Sequence, residues 1–325
     1  MEYTTHSLFQ KLKRTDYKHF VNYDLILDEV ITPLKVIDMK SDDIKIAFKQ
    51  GLIVENKQSK TGEVTFTGDE YQGRYYAKLK QYCDTANVVY VNDRLLVWAF
   101  PPEIFQNFKS VTVLTYQFEG SLLAAYFRYY DISYKVNRMP AATERANKLK
   151  IKKLLNIYDG RANNIGNKPT AFSVNWLRNK SKNANETKKI TKSVVNLIRR
   201  NFLTKTDENA YTTFKEFKFK LKGKGYTNGF ISVNERATNE YANKKTMIYL
   251  ANRYLNPNII DFFRSGGITV DEEQWALAEL IQWVWRGSIR KDEPMNLYIP
   301  SKRMRRLLTG WINDTGSSST LQKAA

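Results

Sequence analysis

Two runs that read as buried strands, the unbroken apolar LIL at 25–27 and VTVLT at 111–115, constrain the fold of this chain more than any other feature. A half-buried surface strand alternates polar and apolar residues. A run without that alternation suits a strand buried on both faces, as parallel strands are. Helical patterns lie between and around these runs. One covers 41–50 behind Ser41, Asp42 and Asp43, one covers 71–83 with Tyr75, Leu79 and Tyr82 as its apolar row, and one covers 121–130. Further strand patterns occur at 51–67, where alternation suggests a hairpin, at 87–101 as VVYVN and LLVWAF around an Asn-Asp turn, and at 132–136. A short helix is expected at 5–20. Strands interleaved with helices from about 20 to 137 predict an α/β domain with a mainly parallel sheet.

Near Met139 and Pro140 the composition changes, and a domain boundary is placed there. Residues 140–200 carry 15 Lys and Arg against 3 Asp and Glu, most of the excess behind a net charge of +19. A surface that basic usually meets nucleic acid, with an anionic membrane as the alternative. No run of about 18 apolar residues and no lipid-anchor motif occurs, which argues against a membrane. The polar start MEYTTHSLFQ has no signal-peptide pattern, and the expected location is the cytoplasm, a host's if the chain is phage-encoded. One cysteine and two histidines leave no material for an intramolecular disulfide or a Cys/His metal site. In the basic half, helices are expected at 172–179, 190–202, 257–263 and 301–311. Strands are expected at 211–215, 229–234, 245–254 and 295–299, and 315–325 reads as a disordered tail.

Three stretches are candidates for chemistry. The LIL run ends in Asp28 and Glu29, at the carboxyl end of a strand, where open α/β sheets bind ligands. That pair is either a Mg²⁺ acid beside a water-orienting acid or an ordinary acidic turn. The helix at 276–290, ALAELIQWVWRGSIR, buries Leu277, Leu280, Ile281, Val284 and Trp285 and lines up Gln282, Arg286 and Arg290 at four-residue spacing. That stripe faces either an anion or local carboxylates. The basic run and the alternating segment KEFKFKLKGKGY are either solvated helix faces and a lysine-guarded edge strand, or a track for a phosphate backbone.

Taken in order, LILDEV, VTVLTYQFEGS, GFISVNERATNEY and ALAELIQWVWRGSIR with MNLYIPSKRMRRLLTGWI resemble motifs II, III, V and VI of superfamily 2, DEAD/DEAH-box-like, DNA helicases of phages and prophages. The resemblance covers about 5–312, the C-terminal two-thirds of such a helicase. It implies two RecA-like domains, an N-terminally incomplete one at 1–139 and a second at 140–312, with the tail at 313–325. It also implies ATP and Mg²⁺ as cofactors. Asp28 would hold the metal, Glu29 would activate water, and Arg286 and Arg290 would be arginine fingers. Gln282, Asn234 and Arg236 would bind nucleotide. Thr115, Lys182, Lys188, Lys189, Arg199, Arg200, Lys222 and Lys224 would contact DNA.

The sequence departs from that pattern in two places. Trp285 stands where the Gln-x-x-Gly-Arg pattern has Gly, and the second Arg comes one residue late. No GxxxxGK[ST] loop is present, so the chain by itself is expected to turn over little or no ATP unless a separate P-loop-bearing half joins it. The alternative expectation is a non-enzymatic nucleic-acid-binding subunit on a degenerate helicase fold.

Overall fold

The computed structural model describes residues 5–12, 14–56, 62–68, 73–85, 87–233 and 240–314. The chain divides into two compact units, Met1–Val136 with Leu255–Gln274, and Asn137–Tyr254 with Trp275–Ala325. Among the described residues no helix is long and apolar enough to cross a membrane.

The first unit opens with α1 (His6–Phe9) and a 3-10 turn (Arg14–His19), then β1 (Asp24–Asp28) and β2 (Leu34–Val36). It continues through α2 (Ser41–Lys49), β3 (Ile53–Glu55), β4 (Glu63–Phe66), α3 (Ala77–Thr85), β5 (Asn87–Val91) and β6 (Leu95–Ala99). After α4 (Pro102–Asn107) come β7 (Ser110–Leu114) and α5 (Leu122–Tyr129). Both runs form parallel strands as expected, β1 and β7, and they pair with each other, Leu25 opposite Val111 and Leu27 opposite Val113. The burial on both faces expected of them is not present, since Ile26 and Leu114 are exposed. Between these two strands the hairpin expected at 51–67 is present as β3 and β4, but the mainly parallel sheet expected around it is not. The intervening strands form a five-stranded sheet, β2-β6-β5-β4-β3, antiparallel throughout.

The cause is local. Asn92 and Asp93 both take φ of 50° and Arg94 N–H donates to Val91 O, the left-handed turn that matches strand twist in a hairpin. The sheet nonetheless has apolar residues on both faces. Val88 and Leu96 pack with Ile44, Ala47, Tyr76 and Leu79 of the α2/α3 side. Val89, Val91 and Val97 pack on the other side with Phe100, Phe105, Tyr126 and Phe127. Doubly covered antiparallel strands therefore carry the same unbroken apolar runs as parallel ones.

The second unit contains α6 (Ala141–Leu154), β8 (Leu155–Ile157), α7 (Val174–Lys180), α8 (Ala184–Leu197), β9 (Asn209–Thr212), α9 (Lys218–Leu221) and β10 (Thr246–Tyr249). The chain passes through α10 (Pro257–Ser265), which belongs to the first unit, and returns by α11 (Glu272–Val284), β11 (Met295–Tyr298) and α12 (Lys302–Asn313). The sheet is parallel throughout, in the order β8-β11-β10-β9. Residues 229–231 extend it beyond β9, where Tyr211 N–H donates to Gly229 O and Ile231 N–H donates to Tyr211 O. Tyr211, Ile248 and Tyr298 face Ile190, Val194, Leu197, Phe217 and Leu221. Tyr249 stacks edge-on against Trp283 on the other face.

The α/β class with parallel sheets thus stands, and α10 corrects the domain assignment. Residues 255–274, read from the sequence with the second domain, pack in the first unit: Phe262 stacks on Tyr129 at 4.4 Å, and Ile259 and Phe263 join the same core. The strand expected at 132–136 is not formed.

Candidate nucleic-acid interface

The second unit places its basic residues by a chain of local fixings that starts at the strand ends. Asn252, just past β10, donates from Nδ2 to Pro169 O at 2.8 Å and Ala171 O at 3.0 Å, and its backbone N–H donates to Phe172 O. Arg303 donates to Asn252 Oδ1 at 3.2 Å and to Arg253 O at 2.7 Å. At Gly166 a Cβ would stand 1.8 Å from Pro300 O, so only glycine lets this loop close on the strand end. These contacts hold the loop that delivers α7. Ser173 caps α7 by accepting from Trp176 N–H, and Asn183 caps α8 by accepting from Asn185 N–H at 2.9 Å.

Thr187, Ile190, Val194 and Leu197 are the buried side of α8. Their helical spacing leaves Lys188, Lys189 and Lys192 outside, and a π-turn (Ile198–Phe202) carries Arg199 and Arg200 on, both exposed. A second basic segment lies alongside. Lys220 Nζ of α9 donates to Ser181 Oγ at 3.2 Å, next to exposed Lys182. At the far end the chain passes Ile198, whose Cγ2 would stand 3.9 Å from a Cβ on Gly225. Gly225 has φ of +90°, which favours glycine, and its carbonyl accepts from Asn209 Nδ2 at 2.8 Å. Lys218, Lys220, Lys222 and Lys224 therefore run beside α8, a helix of 14 residues and about 21 Å in length.

Few carboxylates offset this surface. Glu186 bridges Lys180 at 2.6 Å and Lys189 at 2.7 Å, and those two ammonium groups hold its carboxyl down at about 2. Glu216 pairs with Arg178 at 3.2 Å. Lys182, Lys188, Lys192, Arg199, Arg200, Lys222 and Lys224 form no ion pair among the described residues. Such a strip suits a chain of phosphates, each cation displacing a counterion as it engages. Of the residues expected to contact DNA, Lys182, Lys188, Lys189, Arg199, Arg200, Lys222 and Lys224 come together here; Thr115 lies in the first unit at the end of β7. The segment KEFKFKLKGKGY is not an edge strand. It forms a 3-10 turn (Lys215–Phe217) and then α9. Lys192, Lys218 and Phe219 belong to the surface and were not singled out from the sequence; their signal was the i, i+4 spacing from Lys188 and the helical phase of 217–221.

The residues expected to serve a nucleotide site lie in both units and are described unit by unit. The 276–290 stripe breaks because α11 ends at Val284. Gln282 is half-buried on the helix, Arg286 is 5% exposed in the turn that follows, and Arg290 is exposed in a 3-10 turn (Ser288–Lys291). Ser288 N–H donates to Lys244 O, just before β10, so this turn sits at the amino end of the parallel sheet, opposite the usual ligand edge. Asp28 is exposed in the first unit, and Glu29 beside it takes φ of 82°, its N–H donating to Leu114 O at 3.0 Å. No group of three or more His, Cys, Asp or Glu among the described residues is placed to hold a metal ion. Asn234 and Arg236, and the tail at 315–325, lie outside the described residues.

Comparison with known proteins finds family models for two stretches of the chain. The family model of the YonV middle domain matches residues 34–98, the stretch from β2 to β6 that forms the antiparallel sheet. That of the YonV C-terminal Rossmann-like domain matches 149–312, which spans the four-stranded parallel sheet. The SPbeta prophage-derived uncharacterized protein YonV of Bacillus subtilis (strain 168) is 35% identical over 332 residues, covering 96% of this chain and 79% of that protein. No solved structure matches. These findings overturn the helicase resemblance: the matched models are the YonV domains, and no helicase family is among them. The ATP and Mg²⁺ roles lent to Asp28, Glu29, Gln282, Asn234, Arg236, Arg286 and Arg290, and the expected P-loop-bearing partner, lose their basis with it. Short motifs in the right order are shared by many α/β sheets, because a strand ending in acids and a helix ending in arginines satisfy general rules of strand and helix ends. With two family models in order and this identity across nearly its whole length, the chain belongs to the YonV family.

Proposed function

We propose that this protein binds nucleic acid through the α8 and 218–225 surface of its second unit, with DNA as the first partner to test. The observation that carries the reading is the strip of seven exposed cations without ion-pair partners among the described residues. Self-repulsion along such a strip is relieved by an anionic polymer better than by scattered small anions, because one phosphate backbone meets several cations at once. The prophage origin of the relative fits a partner of this kind. The reading asks no catalysis of the chain.

The test is fluorescence anisotropy with labelled DNA across a range of salt concentrations. Wild type is expected to bind with an affinity that falls linearly on a log–log plot against salt. The combined Lys188→Glu, Lys192→Glu, Lys222→Glu variant is expected to bind at least tenfold more weakly, with a slope reduced by about one for each phosphate no longer engaged. Binding that ignores salt, or a variant that binds like wild type, sinks the reading.

A further inference from the structure

Phe219 is the most exposed aromatic side chain among the described residues, at 73%. The helix explains its direction. Phe217 and Leu221 are buried and one turn apart, which turns Phe219, two residues from each, to the opposite side. In an extended strand all three would share a face. Two ammonium groups flank the ring: Lys218 Nζ lies 5.6 Å and Lys222 Nζ 5.5 Å from its centroid. Lys218 Nζ also sits 4.7 Å from the centroid of Phe230, so one lysine joins two aromatic rings. The nearest carboxylate in sequence, Glu216, is held by Arg178.

A surface that reads only a phosphate backbone needs cations and gains nothing from an exposed phenyl ring. In a duplex the base faces are stacked on one another and closed to such a ring. A single strand offers free base faces beside its phosphates, and an aromatic ring between lysines meets both. Resting on the nucleic-acid reading above, we propose that Phe219 is a stacking platform for a base of single-stranded nucleic acid, with Lys218, Lys222 and Lys224 taking the flanking phosphates.

The experiment compares wild type, Phe219→Ala and Phe219→Trp of the full chain by anisotropy. The probes are a short oligodeoxythymidine, an oligouridine of the same length and a DNA duplex; the first two separate DNA from RNA as the source of the strand. Phe219→Ala is expected to weaken binding to at least one single strand about tenfold, to leave the duplex within about twofold, and to keep the wild-type salt slope. Phe219→Trp is expected to retain or strengthen single-strand binding. Because Phe219 is exposed, the thermal midpoint of Phe219→Ala should match wild type, which separates lost stacking from lost folding. Salt-dependent wild-type binding with no effect of Phe219→Ala, or an equal loss on single strand and duplex, overturns the stacking proposal and leaves the interface standing. Absence of salt-dependent binding to all three probes by wild type overturns the interface and this proposal with it.

Discussion

The chain contains two kinds of parallel sheet, and the same sequence cue produced both. β10 lies between β9 and β11 and every residue of it is buried. β1 pairs only with β7 among the described residues, and the pair is covered on one face: Leu27 is buried, while Ile26 is 61% and Leu114 54% exposed. An unbroken apolar run thus reports strand propensity and at least one buried face. Whether the second face is covered depends on neighbours that the run itself does not encode.

Truncating one isoleucine in each sheet sharpens that contrast most. Ile248→Ala in β10 removes a fully buried side chain that packs with Tyr211 and Leu250, and is expected to destabilise the second unit by about 2–5 kcal/mol. Ile26→Ala in β1 is expected to cost under about 0.5 kcal/mol, the range of an exposed position. Urea denaturation followed by tryptophan fluorescence reports chiefly on the second unit, which holds Trp176, Trp275, Trp283, Trp285 and Trp311. The first unit, with Trp98, is better followed by hydrogen exchange in β1 and β7. Equal costs at the two positions would mean that the outer face of β1 is covered in solution.

Both runs were legible as parallel strands, and the basic half was legible as a charged surface, because composition and local period report these directly. The antiparallel sheet between β1 and β7 was not. Its strands carry apolar residues on both faces, and the two local signs of hairpins, the alternation at 51–67 and the Asn92-Asp93 turn, were outweighed by the alternation of strands with helices. α6 went unread because its buried positions include Lys148, whose ammonium reaches Asp314 O at 3.0 Å, so its apolar stripe is weak. In the site, Lys188, Arg199 and Lys222 were visible as charge, but Phe219 was not, because the Phe/Lys alternation of 217–221 fits an edge strand as well as a basic surface and does not show which way the ring points. The arginine stripe on 276–290 looked continuous because spacing assumes a helix, and α11 stops at Val284. Where the chain leaves one unit and returns, as at α10, only long-range packing decides membership.

A smaller effect is expected at Glu186, the carboxylate that offsets the interface. Lys180 and Lys189 lower its folded value to about 2, so its contribution to stability is present above the ordinary carboxylate value of about 4.3 and is lost as pH falls toward 2. Because the group is exposed, the loss is small. In Glu186→Gln, the acid-side decline in thermal midpoint between about pH 4.5 and 2 should be shallower than in wild type. At neutral pH the same variant frees Lys180 and Lys189, and DNA binding should tighten modestly, with a salt slope steeper by about one. Weaker binding by Glu186→Gln would place the nucleic acid away from α8.

The most direct test of the proposed interface compares lysines of the two units in one experiment. Lysine acetylation read by mass spectrometry, with and without saturating DNA, samples Lys188, Lys192, Lys222 and Lys224 of the second unit beside exposed Lys45 and Lys49 of the first. An interface on α8 and 218–225 predicts that DNA protects the first four and leaves Lys45 and Lys49 reacting as before. Protection confined to the first unit, or none at Lys188, Lys192, Lys222 and Lys224 under saturating DNA, would contradict it.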